Sequence, residues 1–569
     1  MRSFQKIRNT AYDAIVIGGG VNGAATARDA ALRGLKTIVV EKADFAGGTS
    51  SWSTRLVHGG LRYLEYFEFS LVRESLHERE LLLRCAPHLV KPLMLTVPIY
   101  GDRSRPYWKI WAGMILYDFF SFDKSMLPHR MLPKQKFRQH LRSLDPDGLK
   151  GGAQYYDAQV VYAERLCLEN IIAAREAGAT VLNYVEVIAL ERNGDRITRL
   201  HCRDVFTGEV VVITGSQDAV VINTAGPWVD EICRRGVQAG GECVELAREQ
   251  LIGGTKGSHI IVDAFPGAPD MALYVEAKSD KRPFFIVPWL GSYLIGTTDI
   301  RFNGNLEQIK AGDEEIDYLL RETNLTIPSA RLTRDDVKFT YSGVRPLPNT
   351  EGKPGGITRR HLLHDHGKEG TVNLISLVGG KLTTFRHVGE QLTDAIFLKM
   401  GRPIPPCPTL HQPFPGAILP NDPRIADAIV QYGDRLKRTT VDRLFDLYGA
   451  RALQVLALVD DAPELGECIV PEMPDIKAQV VYAVRAEFAQ TAADIARRRT
   501  PIAMEQNYGL DALPVLLDVL QRHCGWSQKR CDRSRTEYIN YVVENCIPDY
   551  VLAQLQTAEK LEIAGRSRP

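Results

Sequence analysis

The stretch YDAIVIGGGVNGAATARDAALRGLKTIVVEK, residues 12–42, decides the fold of the N-terminal part of the chain. It reads as a short apolar strand, a tight turn, an alanine-rich helix and a second strand that ends at Glu41. The turn carries the pattern G-x-G-x-x-G at Gly18, Gly20 and Gly23. Such glycines let a dinucleotide pyrophosphate approach the N–H groups that begin the helix, and an acid at the end of the second strand accepts hydrogen bonds from a ribose diol. The stretch predicts a Rossmann-type dinucleotide site, and its spacing alone does not separate NAD from FAD.

Length and composition predict an ordinary globular protein of two or three domains. The chain has 569 residues, of which 44% are hydrophobic and 24% are charged. The formal net charge of +1 gives no general attraction for nucleic acid, so no nucleic-acid partner is expected. The ten cysteines form no C-x-x-C pair and no D-x-D-x-D-G loop follows, so neither a disulfide scaffold nor a metal site is expected. The thiols are expected to be reduced in a protein that faces the cytosol. The sequence contains no uninterrupted apolar run of about 18 residues, so a membrane-spanning helix is not expected.

The later parts of the chain have different patterns. KGSHIIVDAF and RPFFIVPWLGSYLIGTTD are rich in β-forming residues with a turn between the last two apolar runs, which predicts a largely antiparallel sheet. Residues 402–424 are rich in proline and are typical of a linker. Apolar residues at helical spacing follow, as in RLFDLYGARALQVLALV, and they predict an α-helical C-terminal domain.

Several blocks together resemble one enzyme family. They are IVIGGGVNGAATARDAALRG, TSSWSTRLVHGGLRYLE, NTAGPWVD, KGSHIIVD, VPWLGSYLIGTTD, YSGVRPL and VGGKLTTFR, spread over residues 15–386, and VRAEFAQTAADIARRRT, which ends at Thr500. With these blocks the chain resembles the FAD-dependent glycerol-3-phosphate dehydrogenases, which are respiratory, quinone-linked enzymes within the larger group of flavoproteins that resemble D-amino-acid oxidase.

The resemblance implies an α/β fold in interleaved parts. A Rossmann-type FAD domain is expected to alternate along the chain with a substrate cap built on a mixed, largely antiparallel sheet, and an α-helical domain is expected to follow. The implied borders are 1–80, 150–240 and 340–400 for the FAD domain, 81–149 and 241–339 for the cap, 401–424 for the linker and 425–569 for the C-terminal domain.

The resemblance also implies an activity. The enzyme would oxidise sn-glycerol 3-phosphate to dihydroxyacetone phosphate by hydride transfer to FAD and pass the electrons to quinone. It would be cytoplasmic and bound peripherally to the inner face of the cytoplasmic membrane, and a homodimer is left open. The alternatives are a soluble oxidase that uses oxygen and releases hydrogen peroxide, a catalytically silent flavin-binding protein, and an amine oxidase of the wider group.

The loop HGGLRYLE, residues 58–65, is implied to pass the flavin, with its two glycines allowing backbone contact. The TSS segment before it would donate to FAD phosphates or ring atoms, and Gly379 and Gly380 would bring N–H groups to the flavin pyrimidine. The residues expected to bind FAD are Gly18, Gly20, Gly23, Glu41, Thr49, Ser50, Ser51, Gly59, Gly60, Val187, Gly226, Gly380, Lys381, Leu382 and Thr383.

The implied substrate is a small phosphate dianion, which requires converging cations. By resemblance, Arg62 and Lys381 lie nearer the phosphate with Tyr63 assisting, and Arg345 lies beside the reacting C2 oxygen, where it would stabilise a developing alkoxide. His259 in KGSHI is the first choice for the base that takes the hydroxyl proton, and His58 is the second. A histidine within a strand is also often a packed core residue, so the identity of the base stays open.

Residues 103–124, RSRPYWKIWAGMILYDFFSFDK, combine aromatic and basic side chains. Read as a helix, they place Trp108, Trp111, Ile115 and Phe119 on one face. The pattern is typical of an interfacial helix whose aromatics enter a membrane while cations meet anionic lipid. The alternative is an internal amphipathic helix that packs this face against the cap sheet.

Overall fold

The computed structural model describes residues 4–101, 105–352 and 356–557. Arg103, at the start of the aromatic segment, lies outside the described residues. The strands found are β1 (Ala11–Ile17), β2 (Thr37–Val40), β3 (Leu56–Val57), β4 (Val90–Tyr100), β5 (Arg130–Pro133), β6 (Leu149–Val160), β7 (Thr180–Leu182), β8 (Val185–Asn193), β9 (Arg196–Asp204), β10 (Val210–Asn223), β11 (Gly236–Gln238), β12 (Cys243–Val244), β13 (Thr255–Val262), β14 (Ala272–Glu276), β15 (Pro283–Trp289), β16 (Ser292–Gly296), β17 (Ile300–Arg301), β18 (Val337–Arg345), β19 (Leu362–Asp365) and β20 (Leu374–Val378).

The α-helices are α1 (Gln5–Arg8), α2 (Val21–Leu32), α3 (Phe69–Cys85), α4 (Tyr107–Phe120), α5 (Lys134–His140), α6 (Ala163–Glu176), α7 (Val229–Cys233), α8 (Asp313–Thr326), α9 (Phe385–Lys399), α10 (Pro423–Tyr432), α11 (Arg438–Tyr448), α12 (Ala452–Asp461), α13 (Lys477–Ala486), α14 (Leu513–Cys524), α15 (Gln528–Asn545) and α16 (Asp549–Thr557). A π-helical turn spans Asp494–Arg499. Within the described residues, no helix combines the length and the apolar character that crossing a bilayer requires.

The first sheet has a parallel centre. Its strands follow the order β12-β11-β8-β9-β10-β1-β2-β7, and β20 pairs with β10 and β19. The pairs β1–β2, β1–β10, β2–β7 and β10–β20 are parallel, and they form the dinucleotide-binding core that the glycine pattern predicts. The apolar residues of α2, α6 and α9 pack with the buried residues of these strands in one core. Gly389 in α9 is needed there, because a Cβ on it would lie 2.9 Å from the backbone of Ala25 in α2.

The second sheet is mixed and largely antiparallel, as predicted for the cap. Its order is β17-β13-β16-β15-β14-β4-β6-β3, with β18 beside β13 and β5 beside β6. Only the pair β4–β14 is parallel among the strand pairs described for this sheet. The predicted fold class, an FAD-type α/β domain interleaved with such a cap and followed by helices, is confirmed.

The borders between the interleaved parts differ from the predicted ones. The segments starting at 150 and 340 were assigned to the FAD domain, but β6 and β18 both lie in the cap sheet. The physical reason is pairing: β6 runs antiparallel to β4 along nearly its whole length, and β18 does the same with β13. The short β3, within the first predicted FAD segment, also pairs with β6. The chain enters the cap sheet at β3 and re-enters the first sheet only after β6, and its second passage through the cap, from β13 to β18, precedes its last return to the first sheet.

The proline-rich segment 401–424 packs against the first domain. The Arg28 guanidinium in α2 donates to the Gln412 carbonyl at 2.9 Å and lies 4.2 Å from the centre of the Phe414 ring. The Phe414 N–H donates in turn to the Cys85 carbonyl at 3.0 Å. Beyond this segment, helices α10–α16 share one apolar core with the cap strands, which includes Leu95, Phe339, Leu444 and Leu516. The C-terminal helices are therefore fastened to both sheets.

Candidate active site

A cavity of about 680 Å³ lies at the carboxyl ends of β1, β2, β10 and β20. Its other walls come from the cap strands β13, β15 and β18 and from the C-terminal helices. Its size is within the range typical of cofactor sites, and the carboxyl edge of a parallel sheet is where dinucleotides bind in open α/β folds. The cavity is therefore the candidate site for both a cofactor and a substrate.

The turn after β1 fits a pyrophosphate. Gly18 has a positive φ of +102°, and a Cβ there would lie 2.7 Å from the Thr224 carbonyl oxygen. A Cβ on Gly23 would lie 1.9 Å from the Gly18 carbonyl oxygen, so only glycine allows the helix to start this close to the turn. Gly20 precedes α2, whose first N–H groups and helix dipole attract an anion. This arrangement is what the predicted dinucleotide site requires.

Glu41 lies in the cavity wall at the end of β2. Its carboxylate accepts the N–H groups of Gly19 at 2.7 Å and Ala43 at 2.9 Å, and burial raises its pKa. Val187 and Gly226, which are predicted to contact FAD, also line the cavity. The Val187 carbonyl is already engaged by the Arg235 guanidinium, so its free hydrogen-bonding capacity for a nucleobase is reduced.

The TSS segment forms a short 3₁₀ turn in which each hydroxyl has a protein partner. Thr49 Oγ1 donates to the Val344 carbonyl at 2.7 Å, and Ser50 Oγ accepts the Val21 N–H at 2.9 Å. Both residues line the cavity. Ser51 does not, because its buried hydroxyl donates to the Ala46 carbonyl at 2.5 Å. In this structure Ser51 therefore stabilises the turn through a hydrogen bond within the protein.

Gly59 and Gly60 lie outside the cavity wall, although their neighbours His58 and Tyr63 line it. A Cβ on Gly59 would lie 2.5 Å from the Leu76 side chain, and one on Gly60 would lie 2.1 Å from the Tyr63 ring. The close approach that the two glycines allow is therefore to side chains of the protein itself. The contact of these two glycines with flavin stays a prediction.

The GGKLTT segment after β20 brings several predicted residues into the cavity. Gly379 and Gly380 have positive φ values of +83° and +99°, and a Cβ on Gly380 would lie 2.9 Å from Asn22 Nδ2. Lys381, Leu382 and Thr383 follow in the wall. Thr383 Oγ1 accepts the His58 N–H at 3.2 Å, which ties this segment to the loop 58–65.

Lys381 and Tyr63 form one cationic corner of the cavity. Lys381 Nζ donates to Ser75 Oγ at 2.5 Å and lies 4.8 Å from the centre of the Tyr63 ring. Burial lowers the pKa of Lys381 to about 8, and it raises the pKa of Tyr63. The corner therefore offers an ammonium and a phenol O–H at neutral pH.

Arg345 is held at the other side of this corner by the segment that follows β16. Its guanidinium donates to Asp299 Oδ1 at 3.1 Å and to Thr297 Oγ1 at 2.9 Å. Gly257 in β13 makes room for it, since a Cβ there would lie 2.2 Å from Arg345 Nη2. Burial lowers the pKa of Arg345 from its very high ordinary value, with Asp299 acting in the opposite direction.

Arg359 was missed by the sequence analysis. It lines the cavity, and its Nη2 donates to Asp299 Oδ2 at 3.3 Å, so one carboxylate holds two arginines. Its segment, GGITRRH, is not one of the blocks that carry the family resemblance. The only signal in the sequence is an arginine shortly after the block YSGVRPL.

Arg62, in contrast, was predicted to bind substrate but does not line the cavity. Its guanidinium lies 5.8 Å from the Tyr66 ring centre and donates to the Tyr66 hydroxyl at 3.3 Å.

The two candidate bases both line the cavity. His259 in β13 stacks on Tyr341 with ring centres 4.7 Å apart, its Nε2 is 2.9 Å from Thr54 Oγ1, and its buried Nδ1 has no hydrogen-bond partner among the described residues. Burial, followed by the charge of Arg345, holds the pKa of His259 well below its ordinary value. Burial also lowers the pKa of His58. Both imidazoles are therefore neutral proton acceptors at neutral pH.

One cluster outside the cavity has metal-ligand residue types. His364, His366 and Glu369 place their ligand atoms within 4.8 Å of one another. The ring of His366 is already engaged at both nitrogens, by the Leu246 carbonyl at 2.6 Å and by Ser376 Oγ at 2.8 Å. Through these hydrogen bonds, His366 joins Ser376 in β20 to the segment that carries Leu246. The cluster therefore has a structural role.

The comparisons with known proteins agree with this geometry. Residues 13–394 match the family described as FAD dependent oxidoreductase, and residues 407–531 match the C-terminal domain of alpha-glycerophosphate oxidase. The fold and cavity are therefore those of an FAD-dependent oxidoreductase.

Individual relatives narrow this class. The chain is 60% identical to glycerol-3-phosphate dehydrogenase of Synechocystis over 97% of its own length and all of that protein, and 38% identical to D-erythritol 1-phosphate dehydrogenase of Brucella abortus over 86% and 94%. The solved glycerol-3-phosphate dehydrogenase of Bacillus halodurans, complexed with FAD, superposes with a TM-score of 0.74 at 27% identity and covers 95% of this chain and 96% of that one. The chain belongs to the FAD-dependent glycerol-3-phosphate dehydrogenase family, and the predictions of the family and of FAD are confirmed.

Proposed function

We propose that this enzyme oxidises sn-glycerol 3-phosphate to dihydroxyacetone phosphate and passes the electrons to a membrane quinone. The observation that carries the proposal is a set of linked residues in the cavity wall, namely Lys381, Tyr63, Arg345 and Arg359. Lys381 lies over the Tyr63 ring, the charges of both arginines act on the Tyr63 hydroxyl, and Asp299 binds both arginines. Three cations and a phenol suit a small phosphate dianion, and a hydrophobic amine or amino acid gives no reason for them. Gly18, Gly20 and Glu41 form another region of the same cavity, where the dinucleotide part of FAD is accommodated.

Each polar residue of the corner has a distinct task in this proposal. Lys381 and Tyr63 bind the phosphate, and Arg359 adds a second cation. Arg345, fixed by Asp299 and Thr297, donates to the C2 oxygen and stabilises its charge as the proton leaves. His259 takes that proton, since its imidazole is neutral and lines the same cavity as Arg345. FAD, when bound, supplies the acceptor for the two electrons and the hydrogen of C2.

The face of α4 supports the membrane part of the proposal. The predicted stripe is exposed and does not pack on the cap sheet: Trp108 is 68% exposed, Trp111 50% and Phe119 69%. Ile110, Met114 and Tyr117 form the buried face instead. Exposed aromatics of this kind suit insertion into the headgroup region of a bilayer.

The basic residues beside this stripe are less available to lipid than the sequence suggested. Arg105 donates to Glu65 through two hydrogen bonds at 2.5 and 2.6 Å, and Lys109 lies 3.2 Å from the same carboxylate. We therefore assign membrane affinity chiefly to the apolar side chains. On the buried face, the Tyr117 hydroxyl accepts the Gly59 N–H at 2.9 Å, so α4 packs against the loop 58–65, whose residues His58 and Tyr63 line the cavity. A quinone in the membrane would then diffuse close to the flavin.

The test uses the purified yellow protein without oxygen. Glycerol 3-phosphate should bleach the flavin absorbance, and a quinone analogue in lipid vesicles should restore it much faster than dissolved oxygen does. D-Erythritol 1-phosphate, the longer polyol phosphate named for a relative, serves as the matched comparison substrate. No bleaching by glycerol 3-phosphate would reject the proposed substrate. Restoration by oxygen as fast as by quinone, with hydrogen peroxide formed, would favour the oxidase alternative.

A further inference from the structure

The block ADIARRRT, near the C-terminal end of the family resemblance, has no role in the site described so far. Its three consecutive arginines lie in the π-helical turn Asp494–Arg499 and are all buried. Arg497 Nη1 lies 2.6 Å from Glu164 Oε1 at the start of α6, and its guanidinium lies 4.4 Å from the Trp52 ring centre. Its Nη2 also donates to the Ser51 carbonyl at 3.3 Å. This arginine therefore holds the TSS segment from the C-terminal side.

The next two arginines bind one carboxylate of the cofactor domain. Arg498 Nε lies 2.6 Å from Asp44 Oδ2, and Arg499 bonds both oxygens of Asp44 at 2.7 and 2.9 Å. Asp44 follows Glu41 by three residues and is fully buried. Burial acts to raise the pKa of Asp44, and the two arginines outweigh it and lower the pKa to about 2. A buried charge of this kind depends on its cationic partners, and both arginines come from the C-terminal domain.

The same domain supplies one wall of the cavity. Its lining residues from this domain are Thr491, Ala493, Arg498, Glu537, Tyr541 and Asn545. On the cofactor domain the cavity wall includes the segment 184–187 with Val205 and Phe206. The Tyr184 hydroxyl donates to Asp494 Oδ1 at 2.6 Å, and the Arg533 guanidinium lies 4.9 Å from the Phe206 ring centre. The wall is thus bonded to the region of Glu41 and Val187, the residues expected at ribose and adenine.

We propose that the C-terminal helical domain is part of the FAD site: its arginine turn, with Tyr541 and Asn545, closes the adenosine end of the cavity, so that cofactor retention depends on this domain. The inference rests on the proposed placement of the cofactor in the cavity. It gives the domain two tasks. It balances the charge of Asp44, which would otherwise repel a diphosphate, and it excludes water from the nucleoside side of the cofactor.

The test measures cofactor affinity of the full-length apoprotein by quenching of flavin fluorescence, and affinity for ADP by calorimetry. Arg498→Met should weaken FAD binding about tenfold or more. The variant loses the guanidinium that faces the cavity, and it leaves the negative charge of Asp44 with one cation fewer. Asn545→Ala and Tyr541→Phe, which leave the ion pairs intact, should weaken it about threefold each. ADP, which carries the adenosine and diphosphate without the flavin, should lose affinity by the same factors. Arg522→Met is the matched control, since that side chain is 71% exposed on α14 and pairs only with Asp518 among its described ion-pair partners.

Circular dichroism and the melting temperature of each apoprotein establish whether the variant is folded. If Arg498→Met does not fold, the two milder variants decide. FAD affinity equal to that of the parent in folded variants would overturn the inference, and so would a loss for FAD with no loss for ADP. The parent's flavin bleaching by glycerol 3-phosphate is measured separately, so failure of the proposed reaction and failure of this inference give different results.

Discussion

Arg345 owes its position in the cavity to the segment 297–299. Thr297 and Asp299 each accept a hydrogen bond from its guanidinium, and Asp299 also binds Arg359. The Thr298 carbonyl accepts a third hydrogen bond at 3.3 Å, and in the proposed mechanism the remaining N–H groups of the planar guanidinium donate to the substrate oxygen. Lysine cannot reproduce this, because its ammonium is a point charge on a flexible stem.

Arg345→Lys should therefore lower kcat about 100-fold, since stabilisation of the developing charge is lost, while FAD stays bound. Steady-state kinetics with glycerol 3-phosphate and the flavin absorbance of the purified variant measure the two effects. Arg282→Lys is the matched control, because Arg282 lies 3.5 Å from the same Asp299 but does not line the cavity. A variant at 345 with parental kcat would remove Arg345 from the reaction centre.

Lys381 should give the enzyme an alkaline limit. Burial lowers its pKa to about 8 in the free enzyme, so the phosphate-binding ammonium is lost as the pH rises through this value. KM for glycerol 3-phosphate should rise about tenfold for each pH unit above about 8, with kcat little changed. Lys381→Arg keeps its charge at these pH values and should flatten the rise. Equal slopes for parent and variant between about pH 7 and about pH 10 would show that another group titrates.

At this scale the sequence predicted residue types better than contacts. Lys381, Tyr63, Arg345 and both histidines were expected at the site from their blocks, and the structure brings them into one cavity. Arg359 was missed and Arg62 is placed elsewhere, because which guanidinium faces a cavity is decided by partners far away in sequence. Asp299, the partner of Arg345 and Arg359, is such a case.

Helix α4 is the element most directly open to test. The variant Trp108→Ser/Trp111→Ser should float with liposomes much less than the parent, because two large apolar side chains no longer enter the headgroup region. High salt should have little effect on the parent, since Arg105 and Lys109 are engaged with Glu65. Flotation assays at low and high salt measure both points.

Leu398→Ser/Val430→Ser is the matched control for flotation, since both residues are exposed apolar side chains on other helices. Both double variants should remain folded and yellow. If the Trp108/Trp111 variant floats as well as the parent, α4 does not carry the membrane affinity.

The secondary structure of the N-terminal unit was predictable because its glycine turn admits one arrangement of strand and helix. The borders of the interleaved parts were not. Nothing local in β6 or β18 distinguishes a strand of the cap from one of the first sheet, and the choice is made by the partner strands β4 and β13. Likewise, the aromatic stripe predicted an amphipathic helix, but only the packing of Tyr117 shows which face is outward.

The whole molecule should unfold as one unit. Buried residues of the cap, such as Leu95 and Phe339, share a single core with Leu444 and Leu516 of the C-terminal helices. Buried ion pairs such as Arg499–Asp44 join these helices to the first sheet as well. Differential scanning calorimetry should therefore show one transition, and added FAD should raise its midpoint because the ligand binds the native state alone. A separate transition at lower temperature, in which the C-terminal helices melt by themselves, would contradict this.

The order of strands in the first sheet has a consequence for synthesis on the ribosome. β1 is made early, but its neighbour β10 ends at Asn223, and β20, which flanks β10, ends only at Val378. In the nascent chain β1 therefore has an open edge until β10 is made, and β10 has an open edge until β20 is made, well past the middle of the 569 residues. Long-range pairing of this kind is slow and prone to aggregation. We therefore expect folding in the cell to depend on chaperones that cover exposed strands until β20 leaves the exit tunnel.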